Sequence, residues 1–151
     1  MTNRSVVHST FTLERNYPVP PARVFAAWSD QAAKMRWFAG PNSGHQLDFR
    51  VGGREVNHGD HDGVFMEFES YYRDIVDDER IVFSSTMTAD GAVTTVSMTT
   101  IELVPTDDGT TLTLTEQDAF LDGHELPEWR EEGTGSWLDS LGEELAGVTT
   151  P

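Results

Sequence analysis

The sequence predicts an α+β fold: a curved antiparallel sheet of about six to seven strands wrapped around a long C-terminal helix, with two short helices after the first strand. Three observations lead there. From residue 45 to residue 120 apolar residues recur mostly with period two, broken by short Asp- and Gly-rich turns, the pattern of strands joined by hairpins. Three prolines, Pro18, Pro20 and Pro21, interrupt the chain after a first alternating stretch. From Pro127 the period becomes helical, with Trp137, Leu141 and Leu145 spaced by four and Leu138 beside them.

Residues 9–17 alternate, with Phe11, Leu13 and Arg15 on one face and Thr12 and Glu14 on the other, which predicts the first strand. Pro20 and Pro21 suit the first turn of a helix, where a missing N–H is harmless; Val24, Phe25 and Trp28 then share a helical face. Asp30 can cap a second short helix over residues 31–38, ended at Gly40-Pro41. HQLDFRV at 45–51 predicts a strand with Leu47, Phe49 and Val51 together, and Gly52-Gly53 a tight connection. REVNH is the next strand. DHDG at 60–63 predicts a bend with Asp60 at its first position and Gly63 at its last. The strand from Val64 to Val76 puts Val64, Met66, Phe68 and Tyr72 on one face; residues 80–87 align Ile81, Phe83 and Met87. Asp77-Asp78, Asp90-Gly91 and Asp107–Gly109 mark further turns. The C-terminal helix carries Gly133 and Gly135, which predict a late start or a kink. No repeat or linker divides residues 1–151, so one domain is expected.

The composition excludes several functions. Ten basic residues against 26 acidic ones give a formal charge of −16, which repels phosphate backbones and anionic lipid; nucleic-acid and membrane partners are not expected. Nine of the ten bases are arginine and one is lysine, Lys34. With no cysteine, disulfides, thiolate metal sites and Cys nucleophiles are excluded. The N-terminal stretch lacks the apolar run of a signal peptide, and no stretch reaches the length of a membrane span; a cytoplasmic location is expected. Asn3-Arg4-Ser5 matches a glycosylation acceptor only formally.

The most chemical-looking stretch is NHGDHDGVF at 57–65. His58, Asp60, His61 and Asp62 could ligate a metal, but they straddle a turn, and side chains alternate faces along a strand, so the four do not converge on one point. Turn chemistry explains the Asp and Gly, and no metal is assigned. Asp48 and Arg50 read as a solvent-side ion pair. Glu67, Asp74 and Glu116 are candidate acids or bases. There is no GxSxG elbow, Walker loop or dinucleotide fingerprint, so neither a catalytic set nor a cofactor is assigned.

Five motifs in order carry a family resemblance: PVPPARVFAAWSD at 18–30, WFAGP at 37–41, LDFRVGGR at 47–54, DIVDDERIVFSS at 74–85 and GSWLDSLGEEL at 135–145. With the element order, they resemble the bacterial homologues of the activator of heat-shock-protein-90 ATPase, in the START, pollen-allergen and polyketide-cyclase-like helix-grip superfamily (SRPBCC). Asp77-Asp78 departs from the two prolines the family often has there. The eukaryotic co-chaperone's N-terminal domain has no counterpart, so a co-chaperone role is not carried over. The resemblance implies the helix-grip fold and, less specifically, carriage, sequestration or transformation of small hydrophobic molecules.

The aromatic and thioether residues point the same way. Trp37, Phe49, Met66, Phe68, Phe83, Met87, Met98, Phe120 and Trp137 exceed what a thin sheet–helix interface needs. Together with Tyr72 and Leu141 they are the expected lining of a cavity for a small hydrophobic molecule between sheet and helix, with Tyr72, Ser85, Thr95 or His124 orienting it. Two other readings stay open. In the first, a polyketide-cyclase-like enzyme cyclises or dehydrates such a ligand, with Glu67, Asp74, His58 and His124 as acid–base nominees. In the second, the chain is a protein-interaction module with an exposed apolar patch. A monomer or a homodimer is expected.

Overall fold

A computed structural model describes residues 4–40 and 44–147; Asn3 and Pro41, both singled out above, lie outside them. Seven antiparallel strands form one sheet in the order β1-β7-β6-β5-β4-β3-β2. They are β1 (Val6–Tyr17), β2 (Gln46–Leu47), β3 (Arg54–His61), β4 (Val64–Val76), β5 (Arg80–Ala89), β6 (Ala92–Thr106) and β7 (Gly109–Leu121). Helix α1 (Pro21–Ser29) follows β1. Helix α2 (Gln31–Lys34) runs into a π-helical turn (Met35–Ala39), and α3 (Pro127–Leu145) ends the described chain. Strands β3 to β7 succeed one another through tight hairpins, as the period-two pattern predicts. The first strand closes the order by pairing with the last, from Val6 opposite Leu121 to Tyr17 opposite Thr110.

The inner face collects the residues that alternation placed together. Ile81, Ile101, Leu103, Leu112 and Leu114 are buried there, and α3 lays Leu138, Leu141 and Leu145 on them. A fully buried leucine contributes about 1.5–3 kcal/mol, so this stripe, rather than helix propensity, holds α3 in place. Tyr17 fixes its axial position by donating its hydroxyl hydrogen to the Leu138 carbonyl at 2.8 Å. Asp30 caps α2 by accepting from the Ala33 amide at 2.9 Å, as its type and position predict.

Four local expectations are corrected. HQLDFRV yields only the two-residue β2, because Arg50 N–H turns back to the Asp48 carbonyl and Gly53 N–H to the Arg50 carbonyl. Val51 is consequently exposed rather than on a buried face. The turn needs Gly53, since a Cβ there would lie 2.0 Å from the Asp48 carbonyl oxygen. The DHDG bend sits one residue later than expected: β3 runs through His61, paired with Val64, and Asp62-Gly63 make a two-residue hairpin with φ of 51° and 81°, the conformation that Asp-Gly favours. The second short helix changes to the π-helical turn from Met35. Helix α3 starts at Pro127 and passes Gly133 and Gly135 as one element. Gly135 lies where the Arg15 guanidinium packs, 3.3 Å from where a Cβ would stand.

Candidate functional site

Two adjoining spaces lie between the sheet, the π-helical turn and α3. The inner one is a cavity of about 30 Å³ lined by Trp28, Trp37, Phe38, Phe68, Phe83, Leu114, Trp137 and Leu138, with Lys34, Glu55, Thr99, Glu116 and Thr134 as its polar members. The outer one is an open groove of about 700 Å³ between the π-helical turn and strands β3, β4 and β5, lined by Phe38, Asn57, His58, Met66, Phe68, Met87 and Trp137 among others. Phe38, Phe68 and Trp137 belong to both. Their rings meet at 4.6 Å (Phe38–Trp137), 6.1 Å (Phe38–Phe68) and 6.2 Å (Phe68–Trp137), so three aromatic rings partition groove from cavity.

Each polar wall of the cavity is part of a buried charge cluster. On one side Lys34 at the end of α2 donates to Glu55 of β3 at 2.7 Å, and His45 and the Tyr72 hydroxyl reach the same carboxylate at 2.8 and 2.7 Å. The Lys34 ammonium also lies 4.8 Å from the Phe38 ring centre and 5.1 Å from that of Trp28, so aromatic faces replace part of its lost hydration. Burial pushes the Glu55 carboxyl up, but the Lys34 charge and the three hydrogen bonds outweigh it and bring it down to about 2. Glu55 is a buried, fixed anion.

The opposite wall behaves in the reverse sense. Leu112, Leu114, Glu116, Asp118 and Phe120 follow one another on the inner face of β7. Arg130 in the first turns of α3 comes down onto them, bonding Glu125 at 3.0 Å through each of two nitrogens and Glu116 at 3.4 Å. Two buried carboxyls and the half-buried Glu125 thus face one guanidinium. Burial and the adjacent Asp118 push Glu116 up to about 9, against the pull of Arg130. The direction of that shift favours the neutral carboxylic acid, the form that can donate a hydrogen bond. Thr134 Oγ1 and Trp28 Nε1, both buried, find no hydrogen-bond partner among the described residues.

The sequence-predicted lining divides. Trp37, Phe68, Phe83 and Trp137 line the inner cavity, and Met66 and Met87 line the groove with Phe68 and Trp137. Phe49, Tyr72 and Leu141 are core instead: Phe49 packs edge-on against Phe25 and Tyr72, and Leu141 is fully buried under the sheet. Phe120 is buried on the inner face and lines neither space. Met98 is a correction. It alternates with the buried Ser97 and Thr99 and so points outward, 42% exposed. Of the orienting residues, Tyr72 holds Glu55, Thr95 holds Glu125 and Ser85 pairs with Ser70; His124 is exposed. The acid–base nominees are corrected too. Glu67 stands on the outer side of β4 and Asp74 is ion-paired with Arg80, its side chain 42% exposed. His58 lies at the groove rim, 5.4 Å from the exposed Phe65 ring. None of the four lines the cavity. Among the described residues no group of three or more His, Asp or Glu could hold a metal, and no helix is long and apolar enough to cross a membrane.

Sequence reasoning missed Lys34, Glu55, Thr134 and Arg130. Signals existed. Arg130, Thr134 and Leu138 are spaced by four on the helical stripe, and Glu55 stands opposite Ser70, between the inward Phe68 and Tyr72.

The family model described as Activator of Hsp90 ATPase homolog 1-like protein matches residues 18–146. The chain belongs to this family. Its fold is the helix-grip fold that the five motifs imply. A solved structure from Rhizobium leguminosarum is 38% identical, with a TM-score of 0.92 over 96% of this chain and 99% of its own. The Mll3558 protein of Rhizobium loti is 46% identical, with a TM-score of 0.88 over 93% of this chain and 99% of its own. CalU16 from Micromonospora echinospora shares the fold at 22% identity, with a TM-score of 0.66 over 95% and 85% of the two chains. No curated protein sequence matches.

Proposed function

We propose that this activator-homologue-like protein binds a small, largely apolar aromatic molecule in the groove between α3, the π-helical turn and β3–β5. The observation that carries the reading is the aromatic partition. Phe38, Phe68 and Trp137 form one wall of an open groove and, on their other side, part of the lining of a mainly apolar cavity that holds a few polar groups. A flat ring in the groove meets these three rings and the adaptable Met66 and Met87 side chains. Burial of apolar surface at roughly 25 cal/mol per Å² then drives binding. The inner cavity alone, at about 30 Å³, holds no more than a water-sized group, which moves the expected hydrophobic site outward from the sheet–helix interior to the groove. The cysteine-free composition supports a cytoplasmic setting as part of the same reading.

N-phenyl-1-naphthylamine, uncharged and emissive in apolar surroundings, tests this. Its fluorescence is expected to rise on adding the protein and to be excited by energy transfer from tryptophan. Met87→Arg puts a charge into the groove and is expected to abolish both signals. Failure of the wild-type protein to bind the probe, or equal binding by Met87→Arg, would sink the reading.

A further inference from the structure

The cavity behind the aromatic partition has a chemistry of its own, and it specifies more than apolarity. It is the size of one oxygen-bearing group, about 30 Å³. Its lining includes Trp28 and Thr134, both 4% exposed. The Trp28 indole N–H, which can only donate, has no acceptor among the described residues. The Thr134 hydroxyl lies mid-helix, where a threonine can bond back to the carbonyl four residues earlier; this one has no partner among the described residues. Glu116 lines the same cavity. Buried donors without acceptors are unfavourable unless a ligand supplies the missing atom.

The charges around the cavity decide what that atom belongs to. Lys34 is held by Glu55, and Arg130 by Glu125 and Glu116. Both buried cations are thus already paired, and an anionic group entering between them meets the Glu55 carboxylate as well. A cationic group fares no better, because the Lys34 ammonium already occupies the cation position over Trp28, Phe38, Tyr72 and Phe83, 4.8 to 5.9 Å from each ring centre. An uncharged acceptor oxygen fits where neither ion does.

We propose that the inner cavity is the recognition pocket for the uncharged acceptor oxygen of an aromatic ligand, a ketone or quinone carbonyl, with the Trp28 indole N–H and the Thr134 hydroxyl as its donors. This rests on the groove as the seat of the ligand's ring. The carbonyl passes between Phe38, Phe68 and Trp137 while the ring stays on the groove side. Burial favours the protonated form of Glu116, in which its carboxyl is a third donor rather than a repelling charge.

Four compounds of one ring skeleton test the assignment by displacement of N-phenyl-1-naphthylamine: naphthalene, 2-acetonaphthone, 2-naphthoate and 2-naphthylmethylammonium. The ketone is expected to bind roughly tenfold tighter than naphthalene, and both ions more weakly than the ketone. Thr134→Val, which keeps the side-chain shape, and Trp28→Phe, which keeps an aromatic ring, are each expected to erase most of the ketone's advantage while leaving naphthalene affinity unchanged. Thr134→Val remains informative if Trp28→Phe loosens the fold. If naphthalene binds and the ketone binds no tighter, or if either ion binds tightest, the carbonyl pocket is overturned while the groove stands. The same holds if both variants keep the ketone preference. If none of the four binds, the groove reading falls, and this one with it.

Discussion

Lys34 and Glu55 show how much one pair of side chains can determine. Neither side chain is more than 3% exposed, and each satisfies the other with help from His45 and Tyr72. Removing one partner leaves a bare charge in the core, so Glu55→Gln is expected to lose about 3–5 kcal/mol in urea unfolding, while Lys34→Met combined with Glu55→Gln recovers part of that loss. Their pH signatures oppose those of the β7 acids. The Glu55 carboxyl lies below its ordinary value in the fold, so its stabilisation is present above about pH 4.5 and disappears as pH falls toward about 2. Glu116 is displaced the other way. Its contribution is complete below pH 4.5 and fades as pH rises toward about 9. Glu116→Gln, neutral at every pH, is therefore expected to melt higher than the wild type at pH 8–9 and to lose that advantage near pH 5, as thermal unfolding at several pH values will show. The position of Glu116 among inward leucines was legible in the sequence by alternation alone. Its partner was not, because no local pattern says that Arg130 on a helix 14 residues later reaches back to it.

Among the elements, α3 and the π-helical turn are the two helical sides of the groove, and they are tied differently. The deep tie is Leu138, 1% exposed against the sheet; Leu138→Ala is expected to lose about 2–5 kcal/mol in denaturant unfolding. The shallow tie is Arg36, bonded to both Glu144 oxygens with a closest approach of 2.7 Å but half exposed. Arg36→Ala is expected to lose no more than about 1 kcal/mol, less at high salt. Stability thus resides in the sheet-facing stripe of the helix, while a weak polar clasp joins the π-helical turn to the C-terminal end of α3. The long strands and α3 were legible because period two and period 3.6 persist over many residues. Where the chain turns within a few residues the backbone's own hydrogen bonds decide, and the HQLDFRV pattern was outvoted by the turn at Asp48–Gly53. The same local accounting moved the Asp62-Gly63 hairpin by one residue.

For the molecule as a whole, the formal charge of −16 sets the electrostatic background. Like charge distributed over a small surface opposes compactness, and added salt screens it. Between 10 mM and 1 M NaCl the screening length falls from about 30 Å to about 3 Å, so the melting temperature is expected to rise over that range. A fall would mean that the surface ion pairs, such as Arg15–Asp139 and Arg80–Asp74, outweigh the net repulsion. The architecture was readable at this scale because element order and hairpin succession leave few alternatives. The site was readable only in part. Its aromatic wall follows from alternation, but its polar interior is assembled from α1, α2, β3, β7 and α3, residues far apart in sequence that only the closed fold brings together.

The burial of Lys34 has one more consequence. It is the chain's one lysine and is 1% exposed, so the native surface offers acylating reagents no ε-amine. Modification of that side chain must wait for the core to open, and where opening and reclosing are fast the labelling rate follows the population of the open form. The mass increment on the peptide that carries Lys34, followed over time and apart from that of the chain's α-amine, makes this chain its own clock for how often its interior is unlocked.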